Sequence, residues 1–145
     1  MQNFSVKCKS VQISGKELYM VNTGETLSIG GPYVGDAHLD NILIVKNCVA
    51  DNFVYRDDLN FLFYVQYHKV NHHDFFTINF RNLINSSNFQ FNREFKMVHI
   101  KGFISMNELE IFLAFHDELP NRKQIFNIDD EDFYAIDSAQ DLEMQ

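Results

Sequence analysis

Two runs of aromatic and β-branched residues, separated by a short polar gap, restrict this chain more than any other feature. The first is Asp57-Asp58-Leu59-Asn60-Phe61-Leu62-Phe63-Tyr64-Val65-Gln66-Tyr67-His68-Lys69-Val70. The second is Asp74-Phe75-Phe76-Thr77-Ile78-Asn79-Phe80-Arg81, and only Asn71-His72-His73 lies between them. Side chains of this kind pack well on a pleated surface and lose rotamer freedom in a helix. The gap is long enough only for a turn, so two long antiparallel strands are expected. Apolar residues run unbroken from Phe61 to Val65. In the second run Phe76, Ile78 and Phe80 point one way while Thr77, Asn79 and Arg81 point the other.

The flanking sequence repeats the pattern in shorter pieces. Phe4 to Lys9 alternates apolar and polar residues and Val11-Gln12-Ile13 continues it. Ser14-Gly15-Lys16-Glu17 then reads as a turn before Leu18-Tyr19-Met20-Val21, which makes an opening hairpin. Gly30-Gly31-Pro32-Tyr33-Val34-Gly35 interrupts regular structure. It has neither glycine spacing of a phosphate loop nor a following helix pattern, so a structural turn or bulge is expected rather than a ligand loop. Leu39 to Val45 reads as a central strand, with Asn47 to Asn52 connecting it to Phe53-Val54-Tyr55. Phe89, Phe91 and Phe95 around Asn92-Arg93-Glu94 suggest another hairpin, and Phe95 to Lys101 a further strand.

Ser105 to His116 fits two patterns. Ser105 with Glu108 has the form of a capping box, yet Leu109, Ile111, Leu113 and Phe115 alternate as in a strand, and the bulky middle favours the strand. Asp129 to Asp137 reads as a short acidic helix and the last residues as a frayed end. The expected fold is mostly β: an antiparallel sandwich or partly open barrel with at most one short C-terminal helix. Residues 1–136 form a single β-rich domain in this reading, and residues 137–145 a tail.

A chain of 145 residues can bury a core without staples, and 46% hydrophobic with 22% charged residues excludes overall disorder. Cys8 and Cys48 have no second cysteine at metal-ligand spacing, so two buried free thiols are expected. The N-terminus lacks a signal-peptide pattern, and the longest apolar run, Phe61 to Val65, is far short of a membrane span. A cytoplasmic protein without membrane contact is the expectation.

Six histidines raise the question of metal chemistry. His72-His73-Asp74 is the densest group, and Asp36, His38 and Asp40 alternate so that three ligands could share a strand face. Neighbouring histidines on a strand project apart, however, and in a polar turn they are simply solvated. A metal-dependent enzyme using His38, His72 or His73 is therefore the alternative reading, and neither a metal nor another cofactor is expected. No G-x-S-x-G nucleophile elbow and no calcium-loop spacing is present. Aromatic strands carrying Lys69, Arg81, Arg93 and Lys96 could stack single-stranded nucleic acid, but no Lys/Arg cluster accompanies them, so nucleic acid is not expected as a partner. The reading is of a protein that is not an enzyme.

Charge is the feature that points to a partner. Residues 1–104 carry ten Lys/Arg against nine Asp/Glu, whereas residues 105–145 carry two against eleven, so the net charge of −8 resides in the C-terminal part. Such asymmetry acts on association rather than on fold. Asp117, Glu118, Asp129, Asp130, Glu131 and Asp132 are the candidate steering residues for a basic protein partner, with Phe133 and Tyr134 as anchors.

The stretches Gly30-Gly31-Pro32, Asp51-Asn52-Phe53-Val54-Tyr55, Ala114-Phe115-His116-Asp117 and Phe126-Asn127-Ile128-Asp129 give the chain a further character. Together with its small size, acidity and wealth of Phe and Asn, they make it resemble the immunity proteins with which bacteria neutralise antibacterial toxins. The resemblance implies tight binding to a cognate toxin domain, which the acidic region would engage as a charge mimic if that domain carries a basic groove. A self-associating structural protein of phage type is a second alternative.

Overall fold

The structure, a computed structural model, describes residues 2–4, 10–25, 32–114 and 122–136. Twelve strands account for most of them: β1 Gln2–Phe4, β2 Val11–Ile13, β3 Lys16–Glu25, β4 Tyr33–Leu39, β5 Ile42–Arg56, β6 Phe61–Val70, β7 His73–Asn82, β8 Ser87–Phe91, β9 His99–Phe103, β10 Glu108–Phe112, β11 Lys123–Asn127 and β12 Phe133–Ile136. Nine form one sheet in the order β12-β8-β7-β6-β5-β4-β3-β2, with β1 also paired to β5, and three form a second sheet in the order β11-β10-β9. All pairings are antiparallel. The mostly-β, sandwich-like architecture expected from the sequence is what forms.

The two aromatic runs on either side of Asn71-His72-His73 become β6 and β7, in unbroken register from Phe61↔Asn82 to Val70↔His73. Their turn is only Asn71-His72, both at positive φ (50° and 68°), the conformation that matches the twist of a two-residue hairpin. His73 already belongs to the strand. The opening hairpin also forms, with Ser14 and Gly15 at φ 49° and 73° between β2 and β3.

Between the two sheets lies an apolar layer. Phe63, Val65, Phe76, Ile78, Phe80 and Phe91 from the large sheet meet Ile100, Phe103, Leu109, Ile111 and Phe126 from the small one. The rings interlock edge to face, as in Phe63 on Phe103 at 5.0 Å and Phe91 on Phe126 at 5.1 Å, the arrangement that aromatic quadrupoles favour. One polar clasp crosses the layer. Arg56, only 2% exposed, gives Nε and Nη2 to both oxygens of Asp58 at 2.8 and 2.6 Å and Nη1 to the Met106 carbonyl at 2.6 Å. Its guanidinium lies 4.6 Å from the centroid of the Phe103 ring. A charge buried so deeply persists because each of its partners is in place.

β5 bends the large sheet over its own second face. Along β5 the five steps from Cys48 to Phe53 are matched by only two along β6, from Gln66 to Tyr64. Asn47 and Asp51 take positive φ (56° and 63°) around this bulge, which increases local twist. The first half of β5 thereby reaches across the sheet: Gln66 donates to the Lys46 carbonyl, and Asn88 and Arg81 both donate to that of Ile44. A second apolar cluster, including Leu18, Ile44, Val45, Phe53, Leu62 and Ile136, fills the fold so made. Asn52 ends the bulge by accepting the Ile100 amide at 2.8 Å, fastening the bend to the small sheet. At Gly35 the approach of β3 leaves no room for a side chain, since a Cβ there would sit 2.6 Å from the Val21 carbonyl oxygen.

Three expectations are corrected. The expected strand Leu39–Val45 is split by a turn at Asp40-Asn41, which ends β4 at Leu39, and Ile42–Val45 and Phe53–Tyr55 belong to one bent strand, because Asn and Asp can turn left-handed without ending it. Phe95 does not turn back on β8 but bridges to Phe76 on β7. The acidic stretch after Ile128 is a turn followed by β12, and the described residues include no α-helix. Residues 108–112 are β10, as the alternation favoured. Ser105 Oγ does donate to Glu108 Oε1 at 2.8 Å, but within the turn that enters that strand. Cys48 is a buried free thiol beside Met20, its pKa raised by burial, whereas Cys8, Gly30, Gly31 and residues 137–145 lie outside the described residues.

Candidate functional site

Asp117 and Glu118 also lie outside the described residues, so the acidic region is described from its second half. The chain leaves β11, an edge of the small sheet, at Asn127 and enters β12, an edge of the large sheet, at Phe133. The acidic residues occupy this connection. The Asp129 amide donates to Asn127 Oδ1, and its carboxylate accepts Asn107 Nδ2, both at 3.0 Å. Glu131 lies 3.6 Å from Arg93, and the Asp132 carbonyl accepts the Asn92 amide at 2.8 Å. The turn is thus pinned to both sheets, and Asp129, Asp130 and Asp132 face water.

Phe133 and Tyr134 follow at once and point to opposite sides of β12. Phe133 is 51% exposed, yet its inner edge packs on Phe80, Phe89 and Phe91 at 5.4 to 5.7 Å. Tyr134 is 46% exposed and its hydroxyl accepts Gln90 Nε2 at 2.6 Å. Both rings are therefore held in place while presenting about half their surface. The fold brings Asp129 through Tyr134 together as a single rim.

Beside Tyr134 opens a cleft of about 410 Å³. Its floor is the polar side of β6, β7 and β8, and its rim includes Phe75, Arg93, Glu94 and Tyr134. The floor is one directed hydrogen-bond chain. Thr77 gives its only hydroxyl proton to Asn79 Oδ1 at 2.8 Å, so the 2.8 Å bond between His68 Nε2 and Thr77 has the imidazole as donor. Asn79 spends both amide protons on Gln66 Oε1 at 3.0 Å and Gln90 Oε1 at 3.5 Å. Gln90 then donates to Tyr134, whose own proton is left to point outward. His68 lies flat on Phe75 at 4.8 Å. The charged rim residues have partners of their own: Arg93 pairs with Glu131 and stacks on Phe95, and Glu94 lies 3.4 Å from His73. At the floor His68, Thr77 and Gln90 present a preorganised set of donors and acceptors, with Arg93 and Glu94 at the rim.

The chemistry-bearing residues named from sequence are otherwise dispersed. Among the described residues no three His, Cys, Asp or Glu side chains converge as a metal site would require. His38 stacks on Tyr19 in the β3–β4 pair, and His72 is an exposed turn residue. The polar floor escaped the sequence reading, although its signal was present. Gln66 and His68 on one strand and Thr77 and Asn79 on its partner recur at period two, as side chains do on the second face of a buried sheet. No helix among the described residues is long and apolar enough to cross a membrane. The chain matches no family model, no curated protein and no solved structure.

Proposed function

We propose that the protein is a non-catalytic binding module, in its concrete form an inhibitor of the immunity type that neutralises a cognate toxin. The observation that carries the reading is the rim at β12. Two half-exposed aromatic rings, fixed from behind by Phe80, Phe89, Phe91 and Gln90, follow directly on the acidic turn Asp129 to Asp132. Aromatic residues held rigid before contact lose little entropy on binding, which is what makes them effective anchors. The carboxylates supply long-range attraction to a basic partner and act chiefly on the association rate. The adjoining cleft offers preorganised hydrogen-bonding groups to a side chain of that partner.

The test is recovery of the partner by tagged protein from a lysate of the native cell, with two variants alongside. Wild type should retain one stoichiometric protein with a basic, toxin-like domain. The pair Phe133→Ala/Tyr134→Ala should lose it. Replacing Asp129, Asp130, Glu131 and Asp132 by Asn or Gln should slow association roughly tenfold or more at low salt and flatten its salt dependence. A partner retained equally by all three proteins, or none retained by wild type, would count against the reading.

A further inference from the structure

At the opposite end of β7 from the cleft, a small pocket holds two cations that no carboxylate among the described residues pairs with. Arg81 sits in the row Leu62–Arg81–Asn88 across β6, β7 and β8, on the face that β5 folds over. Its guanidinium carries five N–H donors, yet among the described residues it makes one long hydrogen bond, Nη1 to the Ile44 carbonyl at 3.5 Å, and that oxygen is shared with Asn88. Lys16 lines the same pocket, and among the described residues no carboxylate pairs with either cation. Ser86 completes the polar part, and Leu39, Ile42 and Ile44 supply apolar walls. The described residues that line the pocket include no Asp or Glu, in a chain whose net charge is −8.

We propose that this pocket is a binding site for a small oxyanion, the phosphoryl or carboxylate head of a ligand, held by Arg81, Lys16 and the Ser86 hydroxyl. A desolvated guanidinium is costly unless an opposite charge or hydrogen-bond acceptors satisfy it. Its planar fork of donors fits a carboxylate or phosphate in two-point fashion, and apolar walls strengthen the attraction by excluding water. Burial also pulls the Arg81 pKa down, which an anion would reverse. The cavity, about 60 Å³, admits a head group and no more, so the rest of the ligand lies outside along the β4–β5 and β7–β8 turns. The proposal stands independently of the partner surface at β12.

The experiment measures the melting temperature against rising inorganic phosphate, acetate and sodium chloride at matched ionic strength. Phosphate or acetate should raise it saturably where chloride does not, as mass action requires of a ligand that binds only the folded chain. A response to phosphate alone assigns a phosphoryl head, and an equal response to acetate assigns a carboxylate. Lys16→Gln, at an exposed position that folding tolerates, should weaken the apparent affinity about tenfold, the loss of one charge-assisted hydrogen bond. Arg81→Gln should abolish the response, and Lys123→Gln on β11 should leave it unchanged. Equal responses to all three salts, or an unchanged phosphate or acetate response in Lys16→Gln, would overturn the proposal.

Discussion

Replacing Asn79 by Leu tests whether the cleft floor is the connected network its geometry describes. Asn79 is fully buried and is bonded to Thr77, Gln66 and Gln90 at once. The three partners do not suffer equally. Thr77 can turn its proton to His68 if the imidazole changes tautomer, and Gln90 borders the cleft, where water can replace the lost donor. Gln66 is 1% exposed, and its Oε1 would be left stranded. One stranded acceptor costs about 1–3 kcal/mol, and two partly compensated losses add about 1 kcal/mol, while the leucine recovers some of this by burial. The expected net loss is about 2–3 kcal/mol, or a fall in melting temperature of roughly 5–10 °C for a domain of this size. Chemical denaturation of Asn79→Leu, Gln66→Leu and the double variant decides the matter. With both groups removed, the stranded acceptor disappears, so the double variant should be at least about 1 kcal/mol more stable than additivity predicts. An additive cycle, or a loss under about 1 kcal/mol for Asn79→Leu alone, would refute the network.

The remaining predictions concern the bend, the clasp and alkaline pH. Asp51→Val forces a β-branched residue to φ 63° and should cost about 1–2 kcal/mol in a denaturation midpoint, whereas Asp51→Gly should stay within about 1 kcal/mol of wild type. The Arg56 hydrogen bonds hold the Asp58 carboxyl below the usual carboxylate range, so its contribution is present above the unfolded value and is lost as pH falls toward the folded one. Asp58→Asn should therefore lower stability at neutral pH and shrink the acid-side decline in a pH series of thermal melts. Burial, and after it the hydrogen bond to Asp74 and that residue's charge, push the Tyr67 phenol up to about 12. Its contribution is whole below about pH 10, the free phenol value, and drains away between there and pH 12. Tyr67→Phe should flatten that alkaline decline in the same series.

The strands of this fold were legible wherever their information is local. The β6–β7 pair could be read from aromatic content and a polar gap, and the β2–β3 hairpin from Ser14-Gly15, because turn chemistry and period-two alternation act within a few residues. The alternation on β10 also prevailed over the Ser105/Glu108 capping signal, since burial of Leu109 and Ile111 outweighs one local hydrogen bond. The bend in β5 was not legible. Asn47 and Asp51 look like loop residues, and it is the pairing of their flanks, Val45 and Cys48 with β4 and Cys48 and Phe53 with β6, that carries the strand past them. Nor could sequence show that the polar face of β6 and β7 would be covered by β5 of the same sheet, which turns ordinary exposed residues into a buried network. Of the candidate partner surface, Asp129 to Tyr134 could be named from charge and aromaticity. Its placement on an edge strand beside a cleft arises from contacts with Arg93, Gln90 and Phe91, all about 40 residues away in the chain.

The β12 rim as a partner surface is tested most directly by site-specific photo-crosslinking. A photoreactive phenylalanine analogue is placed at Tyr134, and in a parallel protein at Ile84, which is 75% exposed on the β7–β8 turn. Both are irradiated in lysate of the native cell. One discrete adduct is expected from position 134, absent from position 84 and strongly reduced when Asp129, Asp130, Glu131 and Asp132 are neutralised. The same adducts from both positions, or none from position 134, would contradict a partner surface at β12.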